Sequence, residues 1–312
     1  MGAKILKIIC INNYTPYIGQ NFLQYPQKEA MHIFTKISEY KAWRRSISSS
    51  HSVGFVPTMG ALHEGHGSLI QRSVEENDYT VLSIFVNPTQ FAPTDDLDAY
   101  PRTFDADRAL AEKLGAAAIF FPQAQEIYPQ KQTFIRFEID VLDQVMETAS
   151  RPEHMNGVLQ VVSILFHIIQ PDRAYFGLKD FQQQLIVKKM VEELCFPLEI
   201  VACPIVREID GLAMSSRNTY LNNLERKQAV SLFEAIQIVQ KNWPSYTHSH
   251  EAVEAAIAHI SQQSEAKIDY VEIREAESLA SIERITEAQR PHIFLAVYVG
   301  TTRLIDNMTL PS

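Results

Sequence analysis

The chain has 312 residues, of which 46% are hydrophobic and 21% are charged, as is typical of a soluble globular protein with one large or two ordinary domains. The formal net charge of −9 argues against a nucleic-acid-binding protein, and no apolar run reaches the roughly 18 residues that would span a membrane. The three cysteines, Cys10, Cys195 and Cys203, form neither a disulfide framework nor a zinc pattern, so we expect a cytoplasmic protein.

Residues 1–30 differ in pattern from the rest of the chain. Residues 4–11 are apolar but too short and poorly flanked for a secretory signal, and residues 12–30 are polar without a clear period. A helical pattern begins after Met31. Its apolar face comprises Ile33, Ile37, Tyr40 and Ile47. The pattern suggests that Met31 is the natural start and that residues 1–30 are a poorly ordered leader; a genuine, loosely ordered extension is the alternative.

Strands and helices alternate from residue 53 to about residue 205. Strands are predicted at 53–57, 79–86, 116–121, 174–176 and 198–202, and helices at 66–77, 103–114, 157–170 and 180–195. Gly115 and Pro171 are typical helix stops. This alternation predicts a Rossmann-like α/β domain over residues 31–205, with a parallel sheet whose ligands bind beyond the carboxyl ends of the strands.

The pattern changes after residue 205. Residues 205–215 indicate a strand with a turn at Asp210 and Gly211. Helices are predicted at 223–241 and 250–263, and short strands at 269–276, 292–300 and 302–308, the last two joined near Gly300. The sequence therefore predicts a smaller C-terminal α+β domain over residues 206–312 that covers the ligand site.

Two histidines, His63 and His66, mark the turn from the strand at 53–57 into the following helix. A helix N-terminus at this place favours phosphate, because its backbone N–H groups are unpaired and the helix dipole attracts negative charge. Imidazole N–H groups can add hydrogen bonds to phosphate oxygens, and Gly65 permits a close approach to the backbone. No P-loop motif occurs. A metal pair and two incidental surface histidines are the alternative interpretations, and no third metal ligand is obvious nearby.

The segment VPTMGALHEGH at 56–66 resembles the HxGH signature of nucleotidylyltransferases, in the form found in the pantoate–β-alanine ligase family. The resemblance covers roughly residues 31–310. Further similar segments, in the order of that family, are SIFVNPTQF at 83–91, DLDAYPRT at 96–103, FGLKDFQQ at 176–183, REIDGLAMSSRN at 207–218 and RLIDN at 303–307. The family condenses pantoate with β-alanine to pantothenate through a pantoyl adenylate, consuming ATP and releasing AMP and diphosphate. The resemblance also implies Mg²⁺ with ATP and a homodimer.

Site residues follow from the resemblance, position by position. The implied catalytic residues are His63, Lys179 and His66, which is the proton donor of the family. The implied ATP-binding residues are Met59, Gly60, Ala61, Leu62, His63, Glu64, Gly65, His66, Gly177, Leu178, Lys179, Asp180, Val206, Met214, Ser215, Ser216 and Arg217. Gln90 and Gln183 are the implied substrate-binding residues. Asn87 is either a supporting group for them or part of a turn with Pro88 that ends the strand. No resident metal ligand is assigned, and Asp107 is the carboxylate considered for Mg²⁺. Leu178 and Gly67 depart from the usual residues of the family without removing a functional group.

Three other functions remain open at this point. A related enzyme of the same superfamily would adenylate a different small acid or transfer a nucleotide to a phosphate ester. A nucleotide-binding module without turnover would normally have lost phosphate-contacting residues, which are all present here. An RNA-handling domain would need a basic surface, which the net charge of −9 opposes.

Overall fold

The computed structural model describes residues 30–91, 97–130, 135–139 and 145–312. Residues 1–29 of the suspected leader and Asp96 of the segment at 96–103 lie outside the described residues, so the predictions about them stay predictions. No helix in the described ranges is long and apolar enough to cross a membrane.

The N-terminal part contains a six-stranded sheet in the order β1-β4-β3-β2-β5-β6, and every neighbouring pair is parallel. The strands are β1 His32–Phe34, β2 Val53–Thr58, β3 Tyr79–Ile84, β4 Ala118–Phe120, β5 Arg173–Gly177 and β6 Glu199–Cys203. The chain builds one side of the sheet from β2 through β3 to β4, and then returns to build β5 and β6 on the other side of β2. The switch point between β2 and β5 is where such sheets bind ligands, at the carboxyl ends of the strands.

Helices cover both faces of this sheet, as the alternating pattern predicts. They are α1 Ile37–Ser46, α2 Glu64–Glu76, α3 Phe104–Lys113, α4 Ala124–Ile127, α5 Met146–Ser150, α6 His154–Ile169 and α7 Phe181–Glu193. One buried cluster joins the sheet to α1, α6 and α7, and a second joins it to α2 and α3. Central strands buried on both faces have nearly continuous apolar sequences, which is why β2 and β3 were predictable.

The prediction of a helical pattern beginning after Met31 is wrong for its first residues. His32–Phe34 form β1, which pairs in parallel with β4 at the edge of the sheet, and α1 begins only at Ile37. The apolar residue Ile33 fits both the helical period of 3.6 residues and the strand period of 2 residues, so the pattern alone does not distinguish a helix from a strand here. The strand pairing decides the conformation, and it depends on residues that are far away in the sequence.

The C-terminal part contains a three-stranded antiparallel sheet in the order β7-β8-β9. Its elements are α8 Asn223–Gln228, α9 Ser231–Asn242, α10 Ser249–Ile260, β7 Ala266–Glu275, β8 Pro291–Val299 and β9 Thr302–Thr309. α9 and α10 pack on one face of this sheet and form a core separate from those of the parallel sheet. Two predictions need correction: the helix predicted at 223–241 is two helices, α8 and α9, and the strand predicted at 205–215 is reduced to a single bridge between Arg207 and Ala213.

Candidate active site

A cavity of about 1150 Å³ lies between the carboxyl edge of the parallel sheet and the antiparallel sheet. The predicted site residues that line it are Met59, His63, Gly65, His66, Gln90, Gly177, Lys179, Asp180, Gln183, Val206, Met214, Ser215, Ser216 and Arg217. The predicted residues that do not line it are Gly60, Ala61, Leu62, Glu64 and Leu178. The cavity therefore brings together side chains from four separated segments of the sequence, at the switch point between β2 and β5.

His63 and His66 cap the N-terminus of α2. His63 is the N-cap residue, and its Nδ1 accepts a hydrogen bond from the backbone N–H of Gly65 at 3.1 Å. His66, three residues later, accepts the backbone N–H of His63 on its own Nδ1 at 3.3 Å. The two side chains thus form a reciprocal capping box, and their rings lie 4.1 Å apart between centroids.

This capping fixes which nitrogen of each ring carries the proton. A neutral imidazole has one N–H and one acceptor nitrogen, and in both rings the acceptor is Nδ1. The proton is therefore on Nε2, and each ring offers one N–H donor that the helix does not use. Two such donors beside a helix N-terminus are complementary to the oxygens of a phosphate group.

Both rings are held neutral. Burial, and then the nearby Lys179 ammonium, lower the pKa of His63 from 6.5 to about 4, against the weaker opposing effects of Asp180 and Glu208. Burial, followed by the charges of His63 and Lys179, lowers the pKa of His66 to about 3. At neutral pH the positive charge of this group of residues consequently resides on Lys179, and the two imidazoles act as hydrogen-bond donors.

Asp107 holds the loop that leads into α2. This side chain is 2% exposed, and its two carboxylate oxygens accept the backbone N–H groups of Ala61 at 3.0 Å and Leu62 at 2.8 Å. Thr103 donates a further hydrogen bond at 3.1 Å. Both oxygens are thus engaged in positioning the loop, a role different from the Mg²⁺ ligand guessed from the sequence.

Gly65 is required by the packing of the His63 ring. A Cβ atom at position 65 would lie 2.8 Å from Cε1 and 2.9 Å from Nδ1 of His63, so any larger residue would displace the ring from its capping position. The sequence interpretation assigned this glycine to a close approach by a ligand. The structure adds a requirement within the protein itself.

Lys179 follows β5 directly, in a short 3-10 helix formed by Leu178–Asp180. Its side chain is partly buried, and its Nζ lies 3.8 Å from Oδ1 of Asp180. The backbone of this segment is held from the other sheet: Nδ2 of Asn307, on β9, donates to the carbonyl oxygens of Leu178 and Lys179, both at 2.9 Å. The clamp thus fixes the backbone on either side of Lys179, while Leu178 itself does not line the cavity.

Gln90 lies at the end of the 3-10 turn Pro88–Gln90, which follows β3. The side chain is 9% exposed; Oε1 accepts from Asn87 at 3.2 Å, and Nε2 lies 3.0 Å from the sulfur of Met59. Because sulfur is a weak acceptor, the Gln90 amide can still donate to a ligand. Asn87 thus contacts the Gln90 side chain and also accepts the backbone N–H of Thr89 within the turn after β3, so both interpretations of Asn87 remain predictions.

Gln183 and its neighbour have different roles, although both are on α7. Gln182 is buried, accepts the backbone N–H of Glu147 at 3.0 Å and donates to the carbonyl of Val145 at 3.1 Å, so it fixes α5 to α7. Gln183 faces the cavity, and its amide makes no hydrogen bond to a described residue. A glutamine amide free to donate and to accept is suited to a ligand with hydroxyl and carboxylate groups.

The segment 206–217 forms a tight hairpin at the rim of the cavity. The backbone N–H of Met214 donates to the carbonyl of Val206 at 3.0 Å, and Ser215 Oγ caps the following turn by accepting the N–H of Arg217 at 3.3 Å. The guanidinium carbon of Arg217 lies 5.9 Å from the ring centre of Tyr100. The hydroxyls of Ser215 and Ser216 and the Arg217 guanidinium thereby share one wall with apolar Val206.

Several residues that shape the site carried no recognisable signal in the sequence. Gly157 on α6 lies so close to the turn at 88–90 that a Cβ there would be 2.4 Å from the carbonyl oxygen of Thr89. His154, for example, donates to the carbonyl of Gln90. Asp306 on β9 binds Arg207 through two hydrogen bonds of 2.6 and 2.9 Å; both residues lie in segments singled out in the sequence, but nothing in the sequence indicated that they pair. A lone glycine in a helix, or a histidine at its start, becomes informative only when its spatial neighbour is known.

The described part of the chain contains no group of three or more His, Cys, Asp or Glu side chains placed to hold a metal ion. Two imidazoles with their Nδ1 atoms committed to backbone N–H groups, beside a lysine, are better suited to an anion than to a cation.

The parallel sheet has a Rossmann-like strand order, and a histidine-capped helix and a lysine lie at its switch point. These features define the class of protein as an α/β protein that binds a phosphate-bearing ligand at the carboxyl edge of the sheet. The sequence profile of the pantoate-β-alanine ligase family matches residues 32–309. The chain belongs to that family.

Named relatives and solved structures agree with this membership. The chain is 45% identical over 270 residues to pantothenate synthetase of Clostridium botulinum (86% of this chain, 94% of the relative) and 48% identical over 261 residues to that of Moorella thermoacetica (83% and 91%). The crystal structure of pantothenate synthetase from Thermus thermophilus superposes with a TM-score of 0.84 at 39% identity, covering 90% of this chain and 100% of that one. Pantoate-β-alanine ligase from Francisella tularensis, complexed with β-γ ATP and β-alanine, has a TM-score of 0.76 at 33% identity, covering 90% and 98%.

Proposed function

We propose that this protein condenses pantoate with β-alanine to form pantothenate, with ATP converted to AMP and diphosphate. Family membership supports the overall reaction, and the solved relative named as a complex with β-γ ATP and β-alanine supports two of the three substrates. The observation that carries the proposal is the pair of Nε2–H donors of His63 and His66 beside Lys179 in a single cavity.

The proposed first step transfers AMP from ATP to the pantoate carboxylate. A carboxylate oxygen is a poor leaving group, and the mixed anhydride with AMP replaces it with a good one. Negative charge builds on the α-phosphate and on the departing diphosphate, and the donors that stabilise it are pre-positioned by the capping box and by the Asn307 clamp. His66 and His63 donate to the phosphates, and Lys179 supplies the positive charge.

We assign the other predicted residues by the same logic. Ser215, Ser216 and Arg217 bind the outer phosphates, and Val206 contacts adenine. Gln90 and Gln183 bind the hydroxyls and carboxylate of pantoate. The remaining members of the predicted ATP set contribute through the backbone of three segments. These are Met59, Gly60, Ala61, Leu62, Glu64 and Gly65 before and within the first turn of α2, Gly177 at the end of β5 with Leu178 and Asp180 after it, and Met214 beside Ser215.

Mg²⁺ accompanies ATP in this proposal, bound by phosphate oxygens and water, because the described residues offer it no ready ligand set and Asp107 is engaged with backbone N–H groups. When bound, the ion neutralises phosphate charge. Two further parts of the proposal are a cytoplasmic location and a homodimer, the latter testable by light scattering. The proposed domains are residues 31–205 for the nucleotide and pantoate, and 206–312 as the cover.

An omission assay tests the function. AMP release should require ATP, pantoate and β-alanine together, while exchange of labelled pyrophosphate into ATP should require pantoate but not β-alanine. Exchange that appears only when β-alanine is added would exclude a free-standing adenylate. Exchange with a different acid in place of pantoate would retain the chemistry and overturn the substrate.

A further inference from the structure

The cavity is lined by a third histidine, whose hydrogen bonding is opposite to that of His63 and His66. His154 is the first residue of α6, and its Nδ1 lies 2.8 Å from the backbone carbonyl oxygen of Gln90. A carbonyl oxygen can only accept, so Nδ1 carries the proton and donates. In the neutral ring Nε2 is then an acceptor with a free lone pair.

This acceptor nitrogen is open to the cavity. Nε2 of His154 is not fully buried and makes no hydrogen bond to a described residue, and the ring lines the cavity. Burial lowers the pKa of His154 to about 4, with Arg151 acting in the same direction, and the Gln90 carbonyl, Glu147 and Asp180 oppose this. The ring is therefore neutral through the neutral pH range, with its lone pair available.

We propose that His154 is a catalytic residue of the amide-forming step, in which its Nε2 accepts a hydrogen bond from the amine of β-alanine and takes the proton as the carbon–nitrogen bond forms. The proposal rests on the function proposed above. The cavity then has two functional parts. In one, the N–H donors of His63 and His66 lie beside the phosphates; in the other, the acceptor nitrogen of His154 lies beside Gln90, which is assigned to pantoate.

The position of His154 supports this role. His154 is hydrogen-bonded to the backbone carbonyl of Gln90, and Gly157, also in the first turn of α6, packs against the same turn at 88–90. His154 is therefore fixed relative to the proposed acyl substrate. Glu147, a carboxylate that also lines the cavity, is committed to Arg303 and Tyr270. Asp180 is half exposed, and its Oδ1 lies 3.8 Å from Nζ of Lys179.

The proton and electron balance is simple. The amine lone pair forms the bond to the acyl carbon, the bond from that carbon to the phosphate oxygen breaks, and AMP leaves with the electron pair. The nitrogen is positively charged once bonded, so its proton is far more acidic than that of the free amine, and a weakly basic imidazole suffices to accept it. Nε2 then releases the proton to water.

Two variants separate catalysis from positioning. In His154→Asn, the amide nitrogen lies near the place of Nδ1 and can still donate to the Gln90 carbonyl, but no basic nitrogen remains. We expect pyrophosphate–ATP exchange with pantoate within about twofold of the unmodified protein, and transfer of preformed adenylate to β-alanine slowed by roughly 10²–10⁴. In His154→Ala, adding imidazole should restore the transfer step, whereas the rate of pyrophosphate–ATP exchange in the same variant should be the same with and without imidazole.

The outcomes are distinct. Transfer at the normal rate in His154→Asn, or equal losses in exchange and transfer, would overturn the catalytic role and leave His154 a support for Gln90. Failure of imidazole to rescue transfer in His154→Ala would do the same. Absence of pantoate-dependent exchange in the unmodified protein would instead refute the proposed function, whatever the variants do.

Discussion

At the scale of single residues, the two histidines of the HxGH segment each perform two tasks with different atoms. Nδ1 of each ring stabilises the start of α2, and Nε2 of each ring is left as a donor for a ligand. A change at either position therefore affects both stability and catalysis, and a simple alanine variant confuses the two. Because Nδ1 and Nε2 lie at different distances from the backbone, side chains of different length can replace one nitrogen and not the other, which separates the effect on stability from the effect on catalysis.

His66→Asn and His66→Gln form a matched pair. The asparagine amide reaches the place of Nδ1 and keeps the cap, whereas the glutamine amide reaches the place of Nε2 and keeps a donor. Pyrophosphate–ATP exchange should fall by roughly 10²–10³ in His66→Asn, the usual loss for one removed transition-state donor. His66→Gln should retain more exchange activity but lose about 1 kcal/mol of stability with the cap. Equal exchange rates in the two variants would contradict the assignment of Nε2.

Most of the site residues that the family resemblance implied do line the cavity, because they lie in segments at or shortly after the ends of strands. Lys179 comes shortly after β5 and His63 shortly after β2, so strand prediction and the switch-point rule supported the placement that the family resemblance implied. His154 and Gly157 lie at the start of a largely apolar helix. The hydrogen bond from His154 to the carbonyl of Gln90 joins residues that are 64 positions apart in the sequence. Nothing local in the sequence encodes that contact.

At the scale of secondary-structure elements, the same limit applies to β1 and to the link between β5 and β9. The period of residues 32–34 is compatible with a helix, and only pairing with β4 selects the strand. β9 was predictable as a strand from its alternation, but the sequence did not reveal that Asn307 on it holds the backbone after β5. That clamp makes a strand of the small sheet part of the proposed phosphate site.

Replacing Asn307 by Asp tests the clamp. The side chain keeps its size but loses both N–H donors and places a carboxylate against two carbonyl oxygens, so Lys179 should lose its fixed position. Exchange should slow by about tenfold, the equivalent of one hydrogen bond, with a much smaller loss when Lys179 is already Ala. Met308→Leu, on the same strand but packed against the core of the small sheet, is the control and should leave exchange unchanged. Additive losses in the double variant would show that Asn307 acts independently of Lys179.

At the scale of the whole molecule, an ion pair at the wall of the cavity joins β9 of the small sheet to α5 of the N-terminal part. Arg303 on β9 donates to both carboxylate oxygens of Glu147 on α5 at 2.8 and 2.9 Å, and the Tyr270 hydroxyl donates to the same carboxylate at 2.8 Å. Burial alone would raise the pKa of the Glu147 carboxyl, but these partners hold it below its ordinary value. The side chains of Arg303 and Glu147 are only 14% and 9% exposed, so the pair is largely removed from water.

Arg303→Met should therefore be strongly destabilising. It leaves a buried carboxylate without its counter-ion, which costs about 3–5 kcal/mol in comparable pairs. Adding Glu147→Gln should recover part of that loss, because the charge that lacks a partner is removed. Denaturant unfolding measures both variants. A double variant no more stable than Arg303→Met alone would contradict the explanation that the uncompensated carboxylate causes the loss.

Histidines that the fold keeps neutral determine how stability responds to pH. The pKa values of His63, His154 and His292 are lowered to about 4 and that of His66 to about 3, mainly by burial, whereas an unfolded chain has histidines near 6.5. Between pH 6.5 and 4 the unfolded state binds protons that the folded state does not. The free energy of unfolding should therefore fall as the pH falls through this window. Above pH 6.5 the contribution of these histidines to the free energy of unfolding should be nearly constant. Denaturant unfolding at a series of pH values measures the slope. His66→Asn should reduce that slope by up to one proton, and an identical slope in the variant would show that His66 is not one of the groups responsible.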